Sequence, residues 1–370
     1  VTGVQTCALP ILPTKIILDK EVILKNSNLF SSYGKKALIV TGKTSSIKNG
    51  SLKDVTNALE KEGIVYEVFN DVEENPSLET VEKIVKLGRT QNPNFIIGIG
   101  GGSPIDSAKA AKMLINNPNT TIHNLFDSPS LKSIPLIAIP TTAGTGTETT
   151  PYAILTDNEL KTKHGICQRV FPDYAMLDVK YLMSLPEKIT INTSIDALSH
   201  LIEGYLSSKS NTISDALAEK GLKLFGECLN MIKEKDFTYA VREKLMLAST
   251  IAGMVIAQSG TSLPHGMGYA LTYFHNIPHG KSNGVLLKSY LQFSENKHRV
   301  RKILYLLTIE NLDELGAFLN DMLGSIDNVS YKDICSYSEN MALNKDKLKN
   351  HPTPVGKEDI LKMYKESLNL

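Results

Sequence analysis

The sequence predicts an N-terminal α/β half built on a parallel, Rossmann-like sheet, followed by an all-α C-terminal half. Three observations lead there. Short β-branched runs alternate with amphipathic helical stretches between residues 36 and 140. A Gly-rich turn closes one of those runs, and beyond Leu185-Pro186 the strand signals fade while long helical patterns take over.

Taken in order, Lys15 to Leu29 carries Ile16, Ile17, Val22 and Ile23, as in a short edge strand and turn. Lys36-Ala37-Leu38-Ile39-Val40-Thr41-Gly42 reads as a strand covered on both faces. Leu52 to Gly63 is an amphipathic helix stopped by Gly63, with Ile64 to Phe69 the next strand. Asn75-Pro76-Ser77 caps a helix over Leu78 to Arg89, which leads into the strand Phe95-Ile96-Ile97-Gly98-Ile99. Such a βαβ series implies a parallel sheet with right-handed crossovers.

At the end of that strand stands Gly100-Gly101-Gly102-Ser103-Pro104-Ile105-Asp106. Glycines let backbone amides approach a pyrophosphate, and a helix N-terminus attracts anions. Ser103 is expected to be the N-cap, with Pro104 in the first helical position and Asp106 completing a capping box. Leu136 to Pro140 is a further buried strand. It ends in Thr141-Thr142-Ala143-Gly144-Thr145-Gly146-Thr147, at the strand-end position where open α/β sheets bind ligands. Later helices are expected at Ser214 to Met231, Tyr239 to Gln258, Arg299 to Leu307, Leu312 to Leu323 and Asp359 to Leu368, with a domain boundary near Pro186 that separates 12–185 from 186–370. Val1 to Ile11 resembles a translated sequencing adapter, so native sequence is expected from about Leu12, with a few native residues missing before it.

Lys plus Arg, 40, balance Asp plus Glu, 39, so no long-range field recruits nucleic acid or an anionic membrane. No apolar run reaches the length of a membrane span. The four cysteines are scattered, without a C-x-x-C pair, which points to a reducing, cytoplasmic setting. Small molecules are therefore the expected partners.

The chemistry concentrates in the helical half. A helix beginning near Thr193 sets Asp196 and His200 four residues apart, on one face. Asp supplies a hard oxygen and His a borderline nitrogen, half of a divalent-metal shell. Such a pair is commonly just a solvated surface couple; here His265 and His279, at Gly- and Pro-marked, loop-like positions, offer two further ligands. His275 lies four residues before His279 and competes with it as a ligand or supporting group. A phosphate-binding turn upstream of a metal set implies one enzyme.

Together, Gly100 to Asp106, Pro140 to Gly146, Asp196-Ala197-Leu198-Ser199-His200 and Pro278-His279-Gly280 resemble, in order and spacing, the iron-containing alcohol dehydrogenase family, from about Leu12 to the C-terminus. The resemblance implies a dehydroquinate synthase-like architecture with the active site between the two halves, usually holding Fe²⁺ and sometimes Zn²⁺. It places the metal on Asp196, His200, His265 and His279, the cofactor phosphates on Gly101, Gly102 and Ser103, and the nicotinamide beside Thr142 and Thr145, with further contacts at Asp106, Thr141, Tyr152, Lys163 and Leu182. It implies hydride transfer between a nicotinamide and a small alcohol or aldehyde, in a homodimer or larger assembly.

Two positions depart from the family pattern. Where NAD-preferring members end the strand after Val40-Thr41 with an Asp for the ribose hydroxyls, this chain has Gly42 followed by Lys43. Gly42 removes repulsion toward a 2′-phosphate, and Lys43 or the hydroxyls of Thr44 and Ser45 can bind it, so NADP is expected in preference to NAD. The second departure is Tyr269, where members often carry a catalytic-site His four residues after the third ligand; Tyr269, as a weak proton donor or a wall of the substrate pocket, and His275 are then the catalytic candidates. Two other readings stand beside this one. A dehydroquinate-synthase-type lyase, also using NAD and a metal, requires a basic phosphate pocket, and Lys and Arg look scattered rather than clustered near the cleft segments, Lys163 among them. A non-catalytic nucleotide-binding protein is disfavoured by the retention of all four ligands.

Overall fold

A computed structural model describes residues 12–127 and 131–370; the segment expected to be adapter-derived lies outside the described residues. Six parallel strands form one sheet in the order β1-β8-β5-β4-β2-β3: β1 (Lys15–Leu18), β2 (Lys36–Gly42), β3 (Val65–Val72), β4 (Phe95–Gly100), β5 (Leu136–Pro140) and β8 (Tyr174–Leu177). β6 (Ile154–Asp157) and β7 (Thr162–Gly165) form a separate antiparallel hairpin.

Alternation along the central strands sends side chains to two covers. Ala37, Ile39, Phe95, Ile97, Ile99, Ile137 and Ile139 pack with Val55, Ala58 and Leu59 of the helix Ser51–Lys61. Leu38, Val40, Ile96 and Leu136 pack with Val81, Ile84 and Val85 of the helix Leu78–Gln91 and with Ala108 and Ala111 of the helix Gly102–Ile115. Being buried on both faces explains why β2, β4 and β5 read as continuous apolar runs. The chain reverses its direction across the sheet between β2 and β4, whose carboxyl ends lie side by side with Thr41 in register with Ile99. That junction is where a doubly wound sheet opens a ligand crevice.

The helical half packs around Glu187–Leu206, whose residues from Ser194 to Leu206 are all buried. A helix enclosed on every side has no amphipathic stripe to announce its start. It begins at Glu187, after Pro186, and not near Thr193: Glu187, Lys188 and Ile189 form an exposed first turn that lies outside the buried stretch. It packs against the helices Thr212–Gly226, Tyr239–Ser259 and His279–Gly284. The expected single helix from Ser214 to Met231 is two, Thr212–Gly226 and Leu229–Glu234. The break falls at Gly226, where the Leu306 carbonyl approaches so closely that a Cβ would collide with it.

The two halves are clamped at the end of β5. The Gly146 turn, at φ +58°, lies against Gly253 of Tyr239–Ser259 with no room for a side chain on either glycine. Thr149 Oγ1 donates to Thr250 O at 2.9 Å, and Tyr152 Oη donates to Ile256 O at 3.0 Å. Among the described residues no helix is long and apolar enough to cross a membrane.

Candidate active site between the two halves

A cleft of about 1560 Å³ runs from the carboxyl ends of β2 and β4 to the helical half. At its sheet end the backbone is shaped for close approach. Gly100 adopts φ +148°, open to glycine and rarely to other residues. A Cβ on Gly101 would stand 3.1 Å from Thr142 Oγ1, and one on Gly102 2.9 Å from Thr145 Cγ2. The two threonines and the two glycines thus form opposite walls of a narrow slot, with the free amides of the Gly102–Ile115 helix at its edge.

The expected capping box is not what starts that helix. Gly101 is the N-cap, and Ser103 lies one residue inside the helix, where its Oγ accepts from the Asn75 N–H at 3.1 Å. Asp106 turns away from the helix end and accepts from Thr147 Oγ1 and, at 2.9 Å, from the Ile154 N–H. Lys109, fully buried, donates to Thr147 Oγ1, Thr150 O and Tyr152 O. Burial pushes its ammonium down to about 8, against the opposing pull of Asp106. This network fixes the threonine turn to the helix and the hairpin.

In the helical half, Asp196 and His200 point from successive turns of Glu187–Leu206. His265 is not in a loop: it sits in the first turn of the helix Leu263–His275, and His279 opens the helix His279–Gly284 after the N-cap Pro278. The glycines beside them mark close packing instead of turns. A Cβ on Gly280 would strike the Asn192 carbonyl, and one on Gly268 the Asn283 side chain. Asp196, His265 and His279 thereby bring one donor atom each within 4.8 Å of one another. His265 Nε2 is 3.4 Å and His279 Nε2 3.8 Å from Asp196 Oδ1. His200 lies outside that triad but beside it, its ring stacked on His265 at 4.2 Å.

This donor set fits a divalent cation. Asp196, His200 and His265 are buried, and His200 Nδ1, His265 Nε2 and His279 Nδ1 have no hydrogen-bond partner, a costly state for buried polar atoms unless something binds them. Glu203, one turn beyond His200, takes the Nδ1 of His265 and so leaves Nε2 directed at the cluster. Burial pushes the His265 imidazole down, but the Glu203 charge, the nearby Asp196 carboxylate and the hydrogen bond that Nδ1 makes to Glu203 lift it to about 9. Burial and the neighbouring His265 drive His200 down to about 4, and burial depresses His279 too. For Asp196, burial is outweighed by the adjacent imidazoles, which hold its carboxyl below the usual range.

Of the residues singled out from sequence, Gly42, Lys43, Gly101, Gly102, Ser103, Asp106, Thr142, Thr145, Tyr152, Lys163 and Tyr269 line this cleft with the four ligand candidates. Three do not. Thr141 is buried behind it, its N–H bound to Gly100 O; Leu182 belongs to the core of the helical half; His275 ends its helix outside the cleft lining, with Nε2 2.8 Å from Tyr337 Oη. Tyr269 stacks on the His279 ring at 5.6 Å. The basic residues are not scattered: Lys163, Arg169, Lys209, Lys347 and Lys349 all line the cleft. Sequence reasoning passed over Glu203 and Asn283. Glu203 extends the 196/200 stripe by three residues, and Asn283 is four beyond His279, so helical spacing alone pointed at both. Asn283 Nδ2 donates to Asp196 Oδ1 at 2.9 Å.

Comparison with known proteins fits each half. Residues 13–179 match the model of the iron-containing alcohol dehydrogenases, and residues 190–368 that of the C-terminal part of the same family. The chain is 32% identical over 288 residues to the NADPH-dependent butanol dehydrogenase of Clostridium saccharobutylicum, covering 76% of this chain and 73% of that protein. It is 34% identical over 266 residues to lactaldehyde reductase of Escherichia coli (strain K12), covering 70% and 68%. A solved iron-containing alcohol dehydrogenase from Thermotoga maritima superimposes with a TM-score of 0.91 at 39% identity, over 97% of this chain and 99% of that one. Sequence, fold and cleft thus agree that the chain belongs to the iron-containing alcohol dehydrogenase family, enzymes that use a metal and NAD(P) to move a hydride between the nicotinamide and a small alcohol or aldehyde.

Proposed function

We infer that the chain is a short-chain aldehyde reductase that prefers NADPH, with Asp196, His200, His265 and His279 as the metal ligands. The observation that carries this reading is the convergence of Asp196, His265 and His279 within 4.8 Å in the same cleft that the glycine slot lines. A bound Fe²⁺ or Zn²⁺ would act there as a Lewis acid on the substrate oxygen.

Each side chain has a task in that scheme. Gly101, Gly102 and Ser103 admit and bind the pyrophosphate through backbone amides, while Thr142 and Thr145 wall the nicotinamide ribose side. Holding cofactor and substrate in one cleft supplies the orientation that makes the transfer effectively unimolecular. Glu203 keeps His265 in the tautomer whose Nε2 faces the ligands. Burial, with Asp196 and Glu203 nearby, pushes the Tyr269 phenol up, so it stays neutral and serves as a pocket wall beside His279.

NADPH preference rests on Gly42 and Lys43. Both line the cleft where β2 ends; Lys43 is paired at 3.0 Å with Asp71, but both side chains are well exposed, and such a pair is weak enough for a 2′-phosphate to displace Asp71. The NADPH dependence of the butanol dehydrogenase relative agrees with this. The same reading divides the chain near Pro186, takes it to be a homodimer or larger, and sets it in the cytoplasm. The test is loss of NADPH absorbance with a panel of short aldehydes after loading with Fe²⁺ or Zn²⁺. Turnover of unphosphorylated aldehydes is expected, and its absence with both cofactors and both metals would overturn the reading.

A further inference from the structure

Lys347 lies in the cleft without a part in the scheme above. Its stem packs where a Cβ on Gly266 would come 3.2 Å from its Cγ, directly after His265. Its ammonium donates to the Thr261 hydroxyl and sits 5.3 Å from the centre of the Tyr269 ring. Three donors leave an ammonium wanting more than one neutral acceptor. Among the described residues no carboxylate pairs with it; Glu203 and Asp346 act on it only from farther off, and Asp346 is ion-paired to Lys349.

A second ammonium faces the same ring. Lys163 Nζ is 5.7 Å from the Tyr269 ring centre and donates to Asn75 Oδ1 at 2.7 Å. Burial pushes both lysines down to about 8, the cost of holding charge away from water. Arg169 and Lys209 add positive charge to the same lining. Tyr269 also stacks on one of the ligand candidates, its ring centre 5.6 Å from that of His279. Lys347 Nζ therefore lies no farther from the centre of the His279 ring than those two ring distances combined, a span within reach of a short chain once the contact distance at each of its ends is added.

We propose that Lys347 is a specificity residue that holds an anionic group, a carboxylate in the simplest case, at the far end of a short aldehyde or alcohol whose reacting carbon lies at Asp196, His265 and His279. The proposal rests on the redox reading of the cleft for the reacting end and on the unpaired ammonium for the other. A charge-assisted contact in a partly desolvated pocket favours the anion over its uncharged analogue, while a lysine that merely props Tyr269 makes no such distinction.

The experiment pairs two measurements in wild type, Lys347→Met and Lys347→Arg. Calorimetry compares binding of 4-hydroxybutanoate and of butanol to the protein loaded with NADP⁺; kinetics compare kcat/KM for 4-oxobutanoate and butanal. Wild type is expected to favour the anion on the order of tenfold in both. That preference collapses in Lys347→Met, through KM and not kcat, and returns in Lys347→Arg, with thermal melting confirming that the variants fold. Equal handling of the two compounds by wild type, or a preference unaltered in Lys347→Met, overturns the proposal. If the anion binds through Lys347 but neither aldehyde is reduced, the redox reading fails and with it the assignment of the reacting end, leaving only the anion contact; if butanal is reduced and the anion gains nothing, the redox reading stands and the role of Lys347 is overturned.

Discussion

Glu203 and His265, from different helices and both buried, meet through the Glu203 carboxylate and the His265 Nδ1. Glu203 also accepts from the Ser262 N–H, at the start of the helix that carries His265. One carboxylate thus fixes the direction of a ligand nitrogen and the position of the segment that bears it.

Glu203→Gln keeps the size of the side chain and removes the charge that orients the imidazole. Metal affinity is expected to fall about 10- to 100-fold. Competition with a chromophoric chelator measures it, and an unchanged affinity would show that Glu203 only supports the helix.

Proton release on metal binding follows from the imidazoles. His200, depressed to about 4, and His279, also depressed, are neutral at pH 7, whereas His265, raised to about 9, is protonated in the metal-free protein. A cation must displace that proton, so uptake at pH 7 releases roughly one proton per site, and affinity weakens as pH falls below about 9. Calorimetry in buffers of different ionisation enthalpy reads the number directly. The imidazolium carries its proton below its folded pKa and loses it above, so the competing proton is absent only at high pH.

Lys43→Met removes the charge expected to meet a 2′-phosphate and leaves Asp71 in place. The NADPH-to-NADH ratio of kcat/KM is expected to drop on the order of tenfold. A ratio that holds steady would assign cofactor choice to the neighbouring hydroxyls of Thr44 and Ser45, which line the same end of the cleft.

Gly253→Ala inserts a methyl group where the Gly146 backbone crosses the Tyr239–Ser259 helix. Overpacking of this kind costs about 1–3 kcal/mol. Because the crossing clamps the threonine turn to the helical half, thermal melting should fall and KM for the cofactor should rise together.

The sheet was legible because β2, β4 and β5 are enclosed on both faces and therefore read as uninterrupted β-branched runs, and Leu312–Leu323 because its amphipathic stripe ends at Gly324. The site was legible in its residue types and less so in its geometry. Pro264, Pro278 and the glycines beside His265 and His279 look like loop punctuation, yet the prolines stand at helix starts and the glycines admit neighbouring backbone or side chains. Ser103 looked like a cap because Pro104 followed it, but the glycine two residues earlier caps the helix. Lys347 sits far along the chain in a short helix with no apolar pattern, and only the fold brings it to Tyr269.

The account stands or falls on whether Asp196, His200, His265 and His279 hold one metal ion, and elemental analysis of protein loaded with Fe²⁺ or Zn²⁺ and then desalted reads that directly. One ion per chain in wild type, lost in Asp196→Ala and in His279→Ala while both variants remain folded, is the predicted result. Full metal content in both variants would place the ion elsewhere and contradict it.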